Sequence, residues 1–268
     1  MPIGSRRRVD YSKIGGIVLL LAAIAGLGAF LAPNFIGNRL DGVDTQTFCK
    51  TKGDRSITTV ILDVTDTLKA VQQQEIKNRL EEIRESTPEF GQLAVFVLGS
   101  TTTDLLRPVV SVCNPGNPDD VNSLTTGRKF IALKFKKLFA EPLDQVFASA
   151  MNQPDAAQSP IMEAIQASAA TTFDAVGQKG MITKRLILVS DMLQNSDAIS
   201  FYRGAPHFES FQKLAAYRQL RAELSDVDVE VIAIPRDIRA HVSDKELIEF
   251  WQGYIADQGG RLEKWKNL

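Results

Sequence analysis

Residues 56–67 read SITTVILDVTDT, a β-branched and aliphatic run that ends in acidic and hydroxyl side chains. The apolar part is bounded by polar residues, as is typical of one buried strand. Residues 66–85 follow with apolar side chains at near-helical spacing, and this pattern ends before Pro88. A buried strand followed directly by a helix predicts the first unit of an α/β fold.

The same alternation continues to the end of the chain, and Ser159 is expected to cap the helix that starts at Pro160. Strands alternating with helices predict a doubly wound, mainly parallel sheet over residues 55–268, with the first and fourth strands side by side. The further strands are expected at 92–98, 105–112, 184–189, 227–234 and 261–265, and the further helices at 128–151, 160–173, 208–224 and 245–257.

An apolar stretch stands near the start of the chain. Residues 14–32 carry no charge over 19 positions, which at about 1.5 Å per residue is enough to cross a bilayer core of roughly 30 Å. We predict one transmembrane helix at 14–36. The alternative is a cleaved signal peptide, with Ala23-Ile24-Ala25 as the cleavage site, but the stretch is longer than a usual signal core and that site falls in its middle.

Basic residues precede this stretch, at Lys13 and in the run Arg6-Arg7-Arg8. The positive-inside rule therefore predicts that residues 1–13 are cytoplasmic and that everything after the helix lies outside the cytoplasmic membrane. Residues 37–54 are polar and show no hydrophobic period, which favours a linker. The folded domain is then periplasmic or extracellular.

Composition narrows the classes of function. Lys and Arg total 31 against 32 Asp and Glu, which gives a net charge of -1. The chain has no excess of positive charge that would attract a polyanion, so we expect no nucleic acid as partner. Two histidines and two cysteines are too few for most zinc sites or a His-dependent triad. Cys49 and Cys113 can form one disulfide in an oxidising compartment; two unpaired core cysteines are the alternative.

Acidic and hydroxyl residues follow two predicted strands and precede one predicted helix. Asp63, Thr65 and Thr67 end the first strand, Ser159 precedes the helix at Pro160, and Asp191 ends the fourth strand. The carboxyl ends of parallel strands converge on one crevice, so we expect these side chains to share one site. They are hard oxygen ligands of the kind that Mg²⁺ prefers.

In these residues the sequence resembles the von Willebrand factor A domain family and its metal-ion-dependent adhesion site. That family has Asp-x-Ser-x-Ser after the first strand, then a Thr, then an Asp after the fourth strand. The resemblance implies a Mg²⁺ (or Mn²⁺ or Ca²⁺) ion held by the five residues just named. It also implies that a protein partner offers an acidic residue to this ion, without catalysis. The family often has Gly after the last Asp, where this chain has Met192.

Two other functions remain open from the sequence. Residues 63–68 also look like the phosphorylation loop of haloacid-dehalogenase-type phosphatases, in which Asp63 would be the nucleophile, Mg²⁺ the cofactor and Lys184 a phosphate clamp. Asp66 stands where that loop has Gly, and residues 190–195 lack its paired acids. The other alternative is an adaptor that uses the fold as a metal-free scaffold.

Two further segments have more than one interpretation. Residues 201–206 follow Asp191 and are either a partner-contacting loop or a structural excursion. A second segment alternates lysines with apolar residues, and it is either a basic amphipathic element for anionic lipid or a partner, or a solvated helical face over a core stripe. Its residues are Lys129, Phe130, Ile131, Lys134, Phe135, Lys136, Lys137 and Phe139.

Overall fold

The computed structural model describes residues 42–99, 107–117, 127–173, 182–235 and 242–268. Val43–Leu268 forms one compact unit. The segments expected to be cytoplasmic (1–13) and transmembrane (14–36) lie outside the described residues. Among the residues that are described, no helix is both long and apolar enough to cross a bilayer.

The described residues form one sheet of six strands in the order β3-β2-β1-β4-β5-β6. All neighbouring strands are parallel except β2 and β3, which pair antiparallel. The predicted mainly parallel sheet and the predicted contact between the first and fourth strands are confirmed. The strands are β1 (Arg55–Asp63), β2 (Gln92–Leu98), β3 (Val110–Cys113), β4 (Ile182–Ser190), β5 (Val227–Ala233) and β6 (Arg261–Asn267).

The described helices connect these strands. α2 continues through a π-helical segment, Phe135–Ala140, into α3, and α4 continues into a second one, Ala169–Phe173. The helices are α1 (Ala70–Ser86), α2 (Gly127–Lys134), α3 (Glu141–Ala150), α4 (Ile161–Ser168), α5 (Phe208–Phe211), α6 (Ala215–Gln219) and α7 (Asp244–Asp257).

Each face of the sheet is buried under its own set of helices. On β1, Ile57 and Ile61 point into a core shared with α4 and α7, while Val60 and Leu62 point into a second core shared with α1 and α3. This alternation is the period of two that a strand buried on both faces requires. The sheet is therefore doubly wound, as predicted.

The single helix expected at 208–224 is wrong. The chain forms two short helices there, α5 and α6, and the second ends at Gln219, beyond which backbone groups bond to other elements instead of continuing a helix. The Leu220 carbonyl accepts a hydrogen bond from the Tyr254 hydroxyl at 2.6 Å, and the Ala222 amide donates to Gln258 Oε1 at 2.9 Å. Sequence periodicity does not reveal such partners.

Residues 43–50, part of the predicted linker, are fastened to the domain. Cys49 and Cys113 form a disulfide with their Cα atoms 5.1 Å apart, so the predicted bridge is confirmed and the alternative of two unpaired cysteines is wrong. Val43 and Lys50 pair as a short antiparallel bridge, and the Phe48 side chain is buried. The disulfide joins this segment to the end of edge strand β3.

Candidate metal centre

Asp63 is the centre of the predicted site. It is the last residue of β1, and only 2% of it is exposed. Its Oδ1 accepts hydrogen bonds from the Thr65 hydroxyl at 2.7 Å and the Thr65 amide at 3.2 Å. Its Oδ2 accepts from the Ser159 hydroxyl at 2.8 Å and the Ser190 hydroxyl at 2.7 Å. Three separate segments of the chain therefore meet at one buried carboxylate.

Ser159 reaches Asp63 because its loop is tied to the chain that follows β4. Ser159 and Asn195 exchange two backbone hydrogen bonds of 2.8 Å each, and the Asn195 side-chain amide donates to the Ala157 carbonyl at 3.0 Å. β4 in turn lies beside β1 in the sheet. The sheet and this short bridge together position the Ser159 hydroxyl.

The expected capping role of Ser159 is wrong. The helix begins at Ile161, no side chain of its N-cap residue Pro160 bonds to it, and the Ser159 hydroxyl donates to Asp63 instead. The Met162 amide in the first turn donates to the buried Gln194 Oε1 at 2.8 Å. Gln194, which is distant in sequence, thus accepts a hydrogen bond from the first turn of the helix, and the Ser159 hydroxyl bonds to Asp63 instead.

Asp191 follows β4 and is 1% exposed. Its Oδ1 accepts the Leu193 amide at 2.9 Å, an Asx-type turn. Met192, where the family often has Gly, adopts the left-handed conformation with φ of 63°. Its amide donates to Ser190 Oγ at 2.9 Å, and its carbonyl accepts from Trp251 Nε1 at 2.9 Å. The tight turn is therefore kept without glycine.

Tyr202 lies where the fields of both aspartates overlap. Its pKa is raised by partial burial and by the negative charges of Asp191 and Asp63, so both carboxylates act on the same phenol. Tyr202 is 45% exposed, whereas the neighbouring Phe201 is fully buried with its ring edge-on to Phe250. The loop after Asp191 thus combines the buried Phe201 with the half-exposed Tyr202.

Thr67 is not drawn into the cluster at Asp63. It is exposed, and its hydroxyl donates to Asp155 at 2.7 Å. The helix expected to begin at Asp66 begins at Ala70, so Thr67 belongs to a loop and no helix N-terminus follows Asp66 directly. In the described structure, Thr65 and Ser159 therefore bond to Asp63, Asp191 is buried after β4 in a turn of its own, and Thr67 lies on an exposed loop.

Ser190 was not among the predicted site residues, although a sequence signal for it exists. Leu62 pairs with Val189 in the register of β1 and β4, so the next residues, Asp63 and Ser190, end the two strands together. Leu186 and Leu188 share a core with Ile61, and the period of two places Ser190 on that same face, with Asp63. Register and alternation together identify this serine.

The donor set is chemically suited to a hard divalent cation. Asp63 is bonded by neutral amide and hydroxyl donors in the described part of the chain, and the three hydroxyl-bearing residues around it are almost completely buried. The described residues contain no group of three or more His, Cys, Asp and Glu side chains that could hold a metal. A site here would combine two carboxylates with hydroxyls, the oxygen chemistry of Mg²⁺ rather than zinc.

The arrangement fits a phosphatase poorly. Both carboxylate oxygens of Asp63 are hydrogen-bonded and buried, which hinders attack on a phosphoryl group. Lys184 lies near the start of β4, at the opposite end of the sheet, where its Nζ donates to the Ser225 carbonyl at 3.0 Å. The suggested phosphate clamp is therefore not at this site.

Comparison with known proteins gives structural neighbours only. No protein-family model matches the chain, and no curated protein matches it. Proximal thread matrix protein 1 from the mussel byssus is 14% identical, with 80% of this chain and 42% of that one covered and a TM-score of 0.38. BatB from Bacteroides thetaiotaomicron is 14% identical, with 81% and 90% covered and a TM-score of 0.36. The pilus adhesin SpaC from Lactobacillus rhamnosus GG is 12% identical, with 82% and 28% covered and a TM-score of 0.43.

The chain thus spans less than half of the mussel protein and of the pilus adhesin. The family resemblance rests on features of the chain itself. These are the strand order 3-2-1-4-5-6, the antiparallel β3 at the edge, and the acidic and hydroxyl side chains where β1 and β4 end. By these features, the described residues form a mixed, mostly parallel α/β domain, which is the fold that the sequence resemblance implies.

Proposed function

We propose that this domain binds a divalent cation at the carboxyl edge of the sheet and uses it to hold an acidic residue of a protein partner. The proposal is carried by one observation, the meeting of hydroxyls from two distant segments, at Ser159 and Ser190, on the buried Asp63 carboxylate. An oxygen-lined site of this kind holds Mg²⁺, Mn²⁺ or Ca²⁺, and an ion with an open position supplies a point of attachment for a carboxylate.

The residues assigned to the ion are Asp63, Thr65, Thr67, Ser159 and Asp191. A hydroxyl that donates its proton to Asp63 keeps its lone pairs available for a cation, so the bonds from Thr65 and Ser159 are compatible with ligation. Asp63 then orients the hydroxyls as well as supplying charge. Thr67 is exposed and bonds to Asp155 instead of Asp63, so its contribution is expected to be smaller.

The domain is proposed to be non-catalytic and to work at the outer face of a cytoplasmic membrane, anchored by residues 14–36. The Cys49–Cys113 disulfide supports an oxidising compartment, because such bonds are rare in the cytosol. The half-exposed Tyr202, whose pKa is raised by burial and by the charges of both aspartates, supports a partner contact in the loop after Asp191. The partner is proposed to belong to an envelope-associated assembly.

Calorimetric titration of the purified chain with Mg²⁺ and with Mn²⁺ tests the metal site. We expect Asp63→Asn and Asp191→Asn to lower affinity by more than the roughly 10–100-fold that loss of an outer-shell partner causes. Thr67→Ala should lower it less than Thr65→Ala does. The matched control is Asp226→Asn, an exposed acid just before β5, at the opposite end of the sheet, with φ of 61°.

A pull-down from membranes with Mg²⁺ or with EDTA tests the function. Capture of a partner that is lost in EDTA and in Asp63→Asn, but kept in Asp226→Asn, supports the proposal. Equal capture in both conditions favours the metal-free scaffold. Mg²⁺-dependent phosphatase turnover that Asp63→Asn abolishes would replace the adhesion proposal by the enzymatic one.

A further inference from the structure

One side of α2 and of the π-helical segment after it is exposed and both basic and apolar. Phe130 and Leu133 are 54% and 51% exposed, although large apolar side chains are usually buried. The helical period places both on the side of the helix that carries the lysines, away from the buried Phe139. We call this side the basic face; its residues are Lys129, Phe130, Leu133, Lys134, Lys136 and Lys137.

The basic face concentrates charge in a nearly neutral protein. Residues 127–140 contain five basic and no acidic residues, while the whole chain has a net charge of -1. The ion pair between Lys136 and Glu141 is weak, because Lys136 Nζ lies 3.8 Å from Glu141 Oε1 and the Lys136 side chain is 72% exposed. Lysines around exposed Phe and Leu are typical of a helix that lies on an anionic lipid surface.

The basic face lies beside the segment through which the chain enters the domain. Lys134 Nζ is 5.9 Å from the centre of the Phe48 ring and 5.4 Å from that of Phe130. Phe48 is buried, and its neighbour Cys49 is bonded to Cys113. The disulfide and Phe48 therefore fix residues 43–50 close to α2.

The length of chain before this segment limits how far the domain can lie from a membrane. The apolar run ends at Ala32, eleven residues before Val43. Eleven residues span at most about 40 Å when fully extended. A unit of this size has a radius of gyration of roughly 17 Å, so the tether is comparable to the width of the domain. The tether thus keeps the domain within reach of the lipid without deciding which side faces it.

We infer that the basic face docks onto the anionic lipid surface of the membrane that holds the N-terminal anchor. The lysines pair with lipid phosphates, and Phe130 and Leu133 insert at the boundary of headgroups and acyl chains. This inference rests on the anchor in the proposed function but not on the metal. Docking would leave the domain with a fixed orientation on the membrane instead of free rotation about its tether.

The test uses the full chain, reconstituted in vesicles, with Phe130→Trp as a depth probe. We expect the introduced indole to be quenched when the vesicles contain phosphatidylglycerol with brominated acyl chains, after subtraction of the signal of the parent chain with Trp251 and Trp265. The matched control is Leu214→Trp, at a site 47% exposed on another element. Replacing Lys129, Lys136 and Lys137 by Gln should shift the ratio of docked to undocked domain about 100-fold toward the undocked state.

Each outcome separates the docking from its premises. Absence of quenching at Phe130→Trp, in a chain that floats with neutral vesicles at high salt, overturns the docking and leaves the anchor intact. Failure to float overturns the anchor and the docking together. Quenching that the lysine replacements do not change shows that charge does not drive the contact, and this also overturns the inference. Failure of Mg²⁺ binding leaves the docking unaffected, because it concerns other residues.

Discussion

Replacement of Met192 by glycine should leave a more stable protein than replacement by alanine. Met192 is fully buried and has φ of 63°. Both substitutions delete the same kind of core contact, which costs about 2–5 kcal/mol for Met→Ala. They differ at the backbone, because a residue with a Cβ atom loses roughly 1–2 kcal/mol in the left-handed conformation and glycine does not.

The size of the difference follows from a comparison with an ordinary helical position. Glycine loses about 0.5–1 kcal/mol more conformational entropy on folding than alanine does. At position 192 the backbone strain outweighs this term, so we expect Met192→Gly to be the more stable by about 0.5–1 kcal/mol. At Leu80, buried in the middle of α1, we expect the ordinary order, with Leu80→Ala about 1 kcal/mol more stable than Leu80→Gly.

Urea unfolding of the four variants measures this double difference. Trp251 donates its indole N–H to the Met192 carbonyl, so its fluorescence is a suitable probe of the site. Each kcal/mol corresponds to a shift of about 0.3–1 M in the unfolding midpoint. A Met192→Ala variant that is as stable as Met192→Gly, alongside the ordinary order at Leu80, would refute the claim that this turn is held against backbone strain.

Two further predictions concern the rest of the domain. Replacing Cys49 and Cys113 together by serine should lower the free energy of unfolding by about 4 kcal/mol, because the disulfide closes a loop with a sequence separation of 64. Urea unfolding compares this variant with the oxidised parent, and the parent in dithiothreitol gives a second comparison. Backbone and side-chain hydrogen bonds from Ser243 lower the pKa of Glu246 at the start of α7. The stability that this carboxylate adds is therefore present above its unfolded pKa and disappears as the pH falls through its folded pKa. The free energy of unfolding, measured from pH 3 to 6, should rise less in Glu246→Gln than in the parent chain.

Much of the fold follows from local patterns in the sequence. Strands such as β1 and β4 are apolar on both faces, and this composition already requires helices on both sides of the sheet. The end of α6 does not follow, because the residues just beyond it bond to Tyr254 and Gln258, which come later in the chain. Local periodicity describes what a segment can form, and distant hydrogen-bond partners decide between the alternatives.

The candidate site also has residues that local sequence patterns predict and residues whose contacts depend on distant parts of the chain. Asp63 and Asp191 could be predicted because the ends of neighbouring parallel strands must converge. The meeting of Ser159 with Asp63 depends on the backbone bridge to Asn195, for which the sequence carries no local signal. Thr67 has the residue type and the spacing of the family pattern, yet its hydroxyl bonds to Asp155, an acid 88 residues away in the chain.

The network around Asp63 also explains how the burial of its carboxylate is tolerated. A buried charge is costly unless hydrogen bonds replace its hydration, and here the two carboxylate oxygens accept four of them. These donors are neutral, so they replace the hydration of the carboxylate but do not cancel its negative charge. An arginine would cancel it. Partial burial, and then the charges of Asp191 and Asp63, raise the pKa of Tyr202. Hydrogen bonding by these neutral donors therefore offsets the cost of burying Asp63 and leaves its charge for the cation that we propose to bind there.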